Sequence, residues 1–132
     1  MAIKIFIDQG HNPVNPNAGA EANGVREQDV NYEVGIRLAA LLNNNPNFEA
    51  RLSRPTPTTQ LGTSVTTSLQ ARVNAANNWP ADFFISLHCN SSEITTASGS
   101  EAYVYSTNSP AYTMGTRILE GLHNATGLPN RG

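Results

Sequence analysis

The feature that most constrains this chain is an alternation of two periodicities. Ile3, Ile5 and Ile7 alternate with Lys4 and Phe6 in a period-two run that stops at Asp8-Gln9-Gly10, the pattern of a strand. After a loop rich in Asn, Gly and Pro, Val30, Val34, Leu38, Leu41 and Leu42 recur at helical spacing until Asn43-Asn44-Asn45-Pro46 stops them. Phe48, Ala50 and Leu52 alternate again, and Pro55 and Pro57 then open a Thr-rich loop of a length that usually borders a site. Leu69, Val73 and Ala76 share one face of a second helix, with Thr67 or Ser68 as the expected N-cap. Phe83-Phe84-Ile85-Ser86-Leu87 is apolar almost throughout, as in a central strand covered on both faces. A strand over 101–105 follows, and then a helix opened by Ser109-Pro110 and closed by Gly127 and Pro129, with Ala111, Met114, Ile118 and Leu122 on its apolar side. Strands separated by helices need crossover connections, so the expected fold is α/β: a mainly parallel sheet with helices on both faces. At 132 residues, 39% of them hydrophobic, one domain over 1–132 is expected.

Charge narrows the function. The formal net charge is -2 and Lys4 is the sole lysine, so no basic stripe exists to neutralise a phosphate backbone, and nucleic acid is not an expected partner. Charged residues make up 14%, and Asn, Thr and Ser carry the remaining polarity, a composition suited to neutral sugars and amides. No apolar run approaches the roughly 20 residues of a membrane-spanning helix. Met1-Ala2-Ile3-Lys4 passes straight into the first strand without the apolar core of a signal peptide. The single cysteine, Cys89, has no internal disulfide partner, which leaves packing or a metal to hold the fold.

In open parallel sheets, ligand sites gather at the carboxyl ends of the strands. His11 follows the first strand end and His88 closes the apolar strand, so both are expected at one edge of the sheet. Glu27 begins the first helix, just after the loop that leaves His11. Two imidazoles and one carboxylate are a usual ligand set for catalytic zinc, with a fourth position left for water. Each residue also has a plainer reading: His11 as a turn residue, Glu27 as an acid at the positive end of a helix dipole, His88 as a hydrogen-bonded core histidine.

Three segments resemble the zinc-dependent N-acetylmuramoyl-L-alanine amidases of autolysins, sporulation and germination enzymes and phage lysins. Ile5-Phe6-Ile7-Asp8-Gln9-Gly10-His11 is similar to that family's strand ending in Asp-x-Gly-His. Asn23-Gly24-Val25-Arg26-Glu27-Gln28-Asp29-Val30-Asn31 resembles its Gly-x-x-Glu segment, and Phe84-Ile85-Ser86-Leu87-His88-Cys89-Asn90 its Ser-x-His-x-Asn strand end. Leu69-Gln70-Ala71-Arg72-Val73-Asn74-Ala75-Ala76-Asn77, Ser98-Gly99-Ser100-Glu101 and Asn130-Arg131-Gly132 extend the match over nearly the whole chain. The resemblance implies zinc held by His11, Glu27 and His88, and hydrolysis of the amide between N-acetylmuramic acid and the stem peptide's L-alanine. It also implies peptidoglycan as partner, action at the bacterial cell wall and a monomeric domain.

The chain departs from the family in the loop after His11, where Asn15-Pro16-Asn17-Ala18-Gly19 stands in place of Asp-Pro-Gly-Ala. The family also continues past the Asn-Arg-Gly segment into a strand bearing the acid/base glutamate and a final helix. That strand and helix, and the glutamate with them, are expected beyond Gly132, and the chain as written is expected to be an impaired amidase. Asn90 and Glu101 are the expected substrate-facing residues, while Glu93 reads as solvated and Arg72 as structural. Cys89 reads as a small buried residue, and His123 as a cation suited to a helix end. Two alternatives are a non-catalytic zinc-binding wall-recognition module and a zinc carboxypeptidase acting on stem peptides. The second requires an arginine for the terminal carboxylate, for which Arg131 is the late candidate.

Overall fold

In the computed structural model, which describes residues 1–132, the first strand lies at the middle of the sheet. The chain divides into two units, 1–90 and 91–132, each described by itself. In the first, β1 (Ile3–Gln9) leads to a short hairpin of β2 (Glu21–Ala22) and β3 (Val25–Arg26), then to α1 (Glu27–Asn43), β4 (Phe48–Leu52), α2 (Val65–Asn78) and β5 (Phe83–Leu87). The sheet order is β4-β1-β5. Both pairings are parallel, with Ile5 opposite Ala50 on one side and Phe83 on the other. The α/β expectation is therefore met, α1 and α2 being the crossovers that parallel neighbours require.

Alternation along β1 assigns its two faces. Phe6 packs with Ala76 and Trp79 beneath α2. Ile5, Ile7 and Gln9 point the other way, toward α1. There the helix sits so close that a Cβ added at Gly35 would collide with Gln9 Cγ. Helices thus cover both faces. β4 is an edge strand, and its exposed backbone is partly closed by Asn43, whose side chain accepts from Ala50 N (2.7 Å) and donates to Ala50 O (3.2 Å).

Several elements differ from what spacing predicts. Phe83–Leu87 is an edge strand of the three-stranded sheet and is not central, and Phe84 is left exposed although it stacks on Phe6 at 5.7 Å. An apolar run reports which faces are covered; the order of strands is decided by pairing. On α1 the buried residues are Glu27, Gln28, Asn31, Gly35 and Ala39, while Val30, Val34 and Leu41 are exposed. On α2 they are Ser68, Arg72 and Ala76, while Leu69 and Val73 are exposed. The apolar-stripe rule assumes an apolar floor. Here the floor near the strand end is Asp8 and Gln9, so hydrogen-bonding or small residues take the inner faces. The N-cap of α2 is Ser64, not Thr67 or Ser68. Ser64 Oγ accepts from Thr67 N at 3.1 Å while Thr67 Oγ1 accepts from Ser64 N at 2.9 Å, a reciprocal capping box.

In the second unit, α3 (Pro110–Thr126) has Pro110 in its first turn and ends at Gly127 in the left-handed region (φ 71). Its buried residue is Leu119, and Ile118 and Leu122 are exposed. Residues 101–105 form no strand. Ser100 bridges Asn130, and Ala102 N donates to Gly132 O at 3.1 Å, but the pairing does not extend into a ladder. No helix of the chain is long and apolar enough to cross a membrane.

Candidate metal centre

His11, Glu27 and His88 come together at the carboxyl ends of β1 and β5, and their candidate ligand atoms all lie within 4.8 Å of one another. Glu27 Oε1 is the shared point, 3.3 Å from His11 Nε2 and 3.1 Å from His88 Nδ1. The two rings stand edge to face, with centroids 4.9 Å apart. Side-chain exposure rises from Glu27 (8%) through His11 (24%) to His88 (50%), so the cluster has a buried floor and a side open to solvent.

Each position has a local cause. His11 sits just past β1 with φ 68, a left-handed backbone uncommon outside glycine; the turn-residue reading and the site reading describe the same geometry. Glu27 is returned to the strand end by the β2–β3 hairpin, whose turn residues Asn23 (φ 52) and Gly24 (φ 77) both have positive φ. Asn-Gly is a strong hairpin signal, but strands of two residues leave no periodicity beside it to mark the hairpin. His88 lies directly over Gly10: a Cβ there would be 2.5 Å from His88 Cε1 and 2.5 Å from Leu87 O. Gly19 is also close, its added Cβ falling 3.0 Å from His11 Cδ2 and from Glu27 Cβ. These glycines were not singled out in the sequence, although Gly10 lies inside the Asp-Gln-Gly-His segment.

Burial alone would raise the pKa of Glu27. It is outweighed by the backbone donors Cys89 N (3.0 Å, on Oε1) and Ala20 N (3.3 Å, on Oε2), and by the two histidines, so the carboxyl is held below its usual range. Glu27 is therefore an ionised, acceptor-only group at neutral pH.

The surroundings are polar and largely satisfied. Gln9 N donates to Ser53 Oγ (2.9 Å), and the Gln9 side chain donates to Tyr32 O (3.1 Å) and accepts from Arg54 N (2.8 Å). Asn12 donates to Pro16 O and Leu61 O, each at 2.8 Å. Arg72, 2% exposed, donates to Asp8 Oδ1 (2.8 Å), Gln9 O (2.7 Å), His11 O (2.9 Å) and Asn12 Oδ1 (3.0 Å). The other oxygen of Asp8 accepts from Ser86 Oγ at 2.7 Å.

Cys89 differs from expectation. It is exposed, because the strand ends at Leu87 and alternation no longer governs the next residues. Desolvation and the charge of Glu27 hold its thiol above the ordinary range. In the second unit, the Glu101 carboxylate meets Arg131 Nη1 at 3.1 Å and Tyr103 Oη at 2.6 Å. Arg131, the arginine that a carboxypeptidase reading needs, is thus engaged by a carboxylate of its own unit. His123 lies in the last turn of α3, its Nδ1 2.7 Å from Leu128 O, as suits a helix carboxyl end. Glu93 is exposed.

Fold and site together define a parallel α/β protein that gathers two imidazoles and one carboxylate at the carboxyl edge of its sheet. A family model described as N-acetylmuramoyl-L-alanine amidase matches residues 5–132, and the chain belongs to that family. It is 35% identical over 131 residues to the sporulation-specific N-acetylmuramoyl-L-alanine amidase of Bacillus subtilis strain 168, covering 98% of this chain and 47% of that protein. To the N-acetylmuramoyl-L-alanine amidase CwlM of Bacillus licheniformis it is 39% identical over 104 residues, covering 78% of this chain and 36% of that one. The solved catalytic domain of CwlV, an N-acetylmuramoyl-L-alanine amidase from Bacillus (Paenibacillus) polymyxa var. colistinus, is similar with a TM-score of 0.80 at 29% identity, over 98% of this chain and 68% of that one. The chain therefore spans about half, or less, of the length of these two curated relatives.

Proposed function

We propose that residues 1–132 belong to the catalytic domain of a zinc-dependent, monomeric peptidoglycan hydrolase. It acts at the bacterial cell wall on the amide between N-acetylmuramic acid and the L-alanine of the stem peptide. The observation that carries this reading is the convergence of His11, Glu27 and His88 within 4.8 Å, in a chain whose relatives are named for that activity.

Two imidazoles and one carboxylate are donor types that fit zinc, and the two edges at Glu27 have the length that zinc requires. Ligands about 2.0–2.1 Å from a tetrahedral ion stand roughly 3.3 Å apart, and Glu27 Oε1 lies 3.3 and 3.1 Å from the two histidine nitrogens. His11 Nε2 is the ring nitrogen beside Glu27, while its Nδ1 is buried with no hydrogen-bond partner in the chain. Zinc, when bound, supplies Lewis-acid polarisation of a carbonyl and makes water acidic enough to attack near neutral pH. The chain's own part is to hold its three groups in place. Glu27 stays ionised through the Cys89 and Ala20 amides, His11 is fixed at the strand end, and half-exposed His88 borders the open side from which substrate would enter. Asn90, two residues past His88, is the residue of this unit proposed to face substrate.

The test joins metal analysis to an activity assay. One zinc per chain is expected, lost in His88→Ala and retained in His123→Ala; the reverse pattern would overturn the ligand assignment. New L-alanine amino termini are then counted on purified peptidoglycan, for this chain and for the same residues continued through the family's glutamate-bearing strand. Zinc-dependent release in either arm supports the amidase. Zinc binding with release in neither arm leaves a wall-recognition module instead.

A further inference from the structure

We propose that Arg72, Asp8 and Ser86 form a positioning device that sets the spacing of His11 and His88 from the opposite side of the sheet. This rests on the metal-centre reading above and adds residues that touch none of the three candidate ligand side chains. Arg72 reaches from α2 to the end of β1, where its Nη1 is bonded to Gln9 O and its Nη2 to His11 O and Asn12 Oδ1. The chain from Gln9 to Asn12 is thus wrapped around one planar guanidinium. His11, on that wrap, takes the strained positive φ of 68. The same guanidinium holds Asp8 Oδ1 at 2.8 Å, and Asp8 Oδ2 holds Ser86 Oγ at 2.7 Å. Ser86 is two residues before His88 and pairs with Asp8 across the β1–β5 ladder. One connected set of charge-assisted bonds therefore ties both histidine-bearing strand ends together.

The residue types fit this task. A guanidinium offers five donors in a fixed fork, which a lysine ammonium cannot reproduce. Asp8 is buried with both oxygens bonded, and so transmits position from Arg72 to Ser86 instead of meeting water.

The experiment titrates zinc into the wild-type chain, Arg72→Lys and Ser86→Ala, and records in parallel the melting temperature of each in excess chelator. A cobalt-substituted absorption spectrum reports ligand geometry. Arg72→Lys is expected to weaken zinc binding about 10–100-fold, the range typical of lost outer-shell support, and to alter the cobalt spectrum. Ser86→Ala removes one hydroxyl and is the variant least disturbing to folding; a loss of about two- to tenfold is expected, as for one hydrogen bond, with little change in metal-free melting. If both variants melt lower but bind zinc as the wild type does, with the same cobalt spectrum, the three residues are structural only and the proposal falls. If Arg72→Lys does not fold, Ser86→Ala decides by the same criterion. A wild-type chain that binds no zinc overturns the metal-centre reading itself, and this proposal with it.

Discussion

From Ile5 to Ile7, β1 is packed by hydrocarbon: all three residues are all but fully buried, and Trp79 and Ala76 close one face. From Asp8 to Asn12 the same chain is packed mainly by hydrogen bonds, with Asp8, Gln9 and Asn12 buried among Ser53, Arg54, Ser68 and Arg72. Dispersion contacts are non-directional and tolerate small shifts, whereas hydrogen bonds weaken steeply with angle. The first half therefore supplies stability and the second supplies the angular definition that a metal centre needs. The polar half carries a cost: His11 Nδ1, Gln28 Oε1 and Arg54 Nε are buried without partners.

Substitutions in the two halves should separate these contributions. The largest expected loss of stability is for Ile7→Ala, at a fully buried position, about 2–5 kcal/mol. Urea unfolding in excess chelator measures it, and zinc affinity of the folded protein should be unchanged; a large loss of affinity would mean that the halves are not separable. Gly10→Ala places a methyl 2.5 Å from the His88 ring and from Leu87 O. It should cost roughly 1–3 kcal/mol as overpacking and also weaken zinc binding about 10–100-fold. Isothermal titration and unfolding on one sample would show whether the two effects occur together. The smallest effect is for Ser64→Ala, which removes the α2 cap for about 1 kcal/mol and should leave zinc affinity intact, because the capping box lies at the helix end and Arg72 two turns further on.

The alternation of periods in the sequence was enough to give the crossover topology, and strand ends were enough to select His11 and His88. Glu27 needed more: its return depends on the Asn23-Gly24 turn, which periodicity cannot register in strands two residues long. Apolar spacing points Val30 and Val34 of α1 and Leu69 and Val73 of α2 inward, yet Gly35 and Arg72 take those inner faces, and of the residues expected on the α2 face only Ala76 is buried. The strand expected over 101–105 depends on successive bridges, and a sequence records propensity without recording partners. Gly10 was legible only as part of a motif, since the need for no side chain there arises from His88, far along the chain.

The position of β1 in the sheet also has a consequence for biosynthesis. Synthesised before both of its partners, it must wait for Phe48 before Ile3 has a partner and for Phe83 before Ile5 is flanked on both sides. Until then Ile3-Lys4-Ile5-Phe6-Ile7 is an apolar, unpaired ribbon, the kind of segment chaperones shield during translation. Parallel pairings of such long range form slowly. The site is tied to the same schedule, since His88 emerges just after β5, the later of the two strands that flank β1.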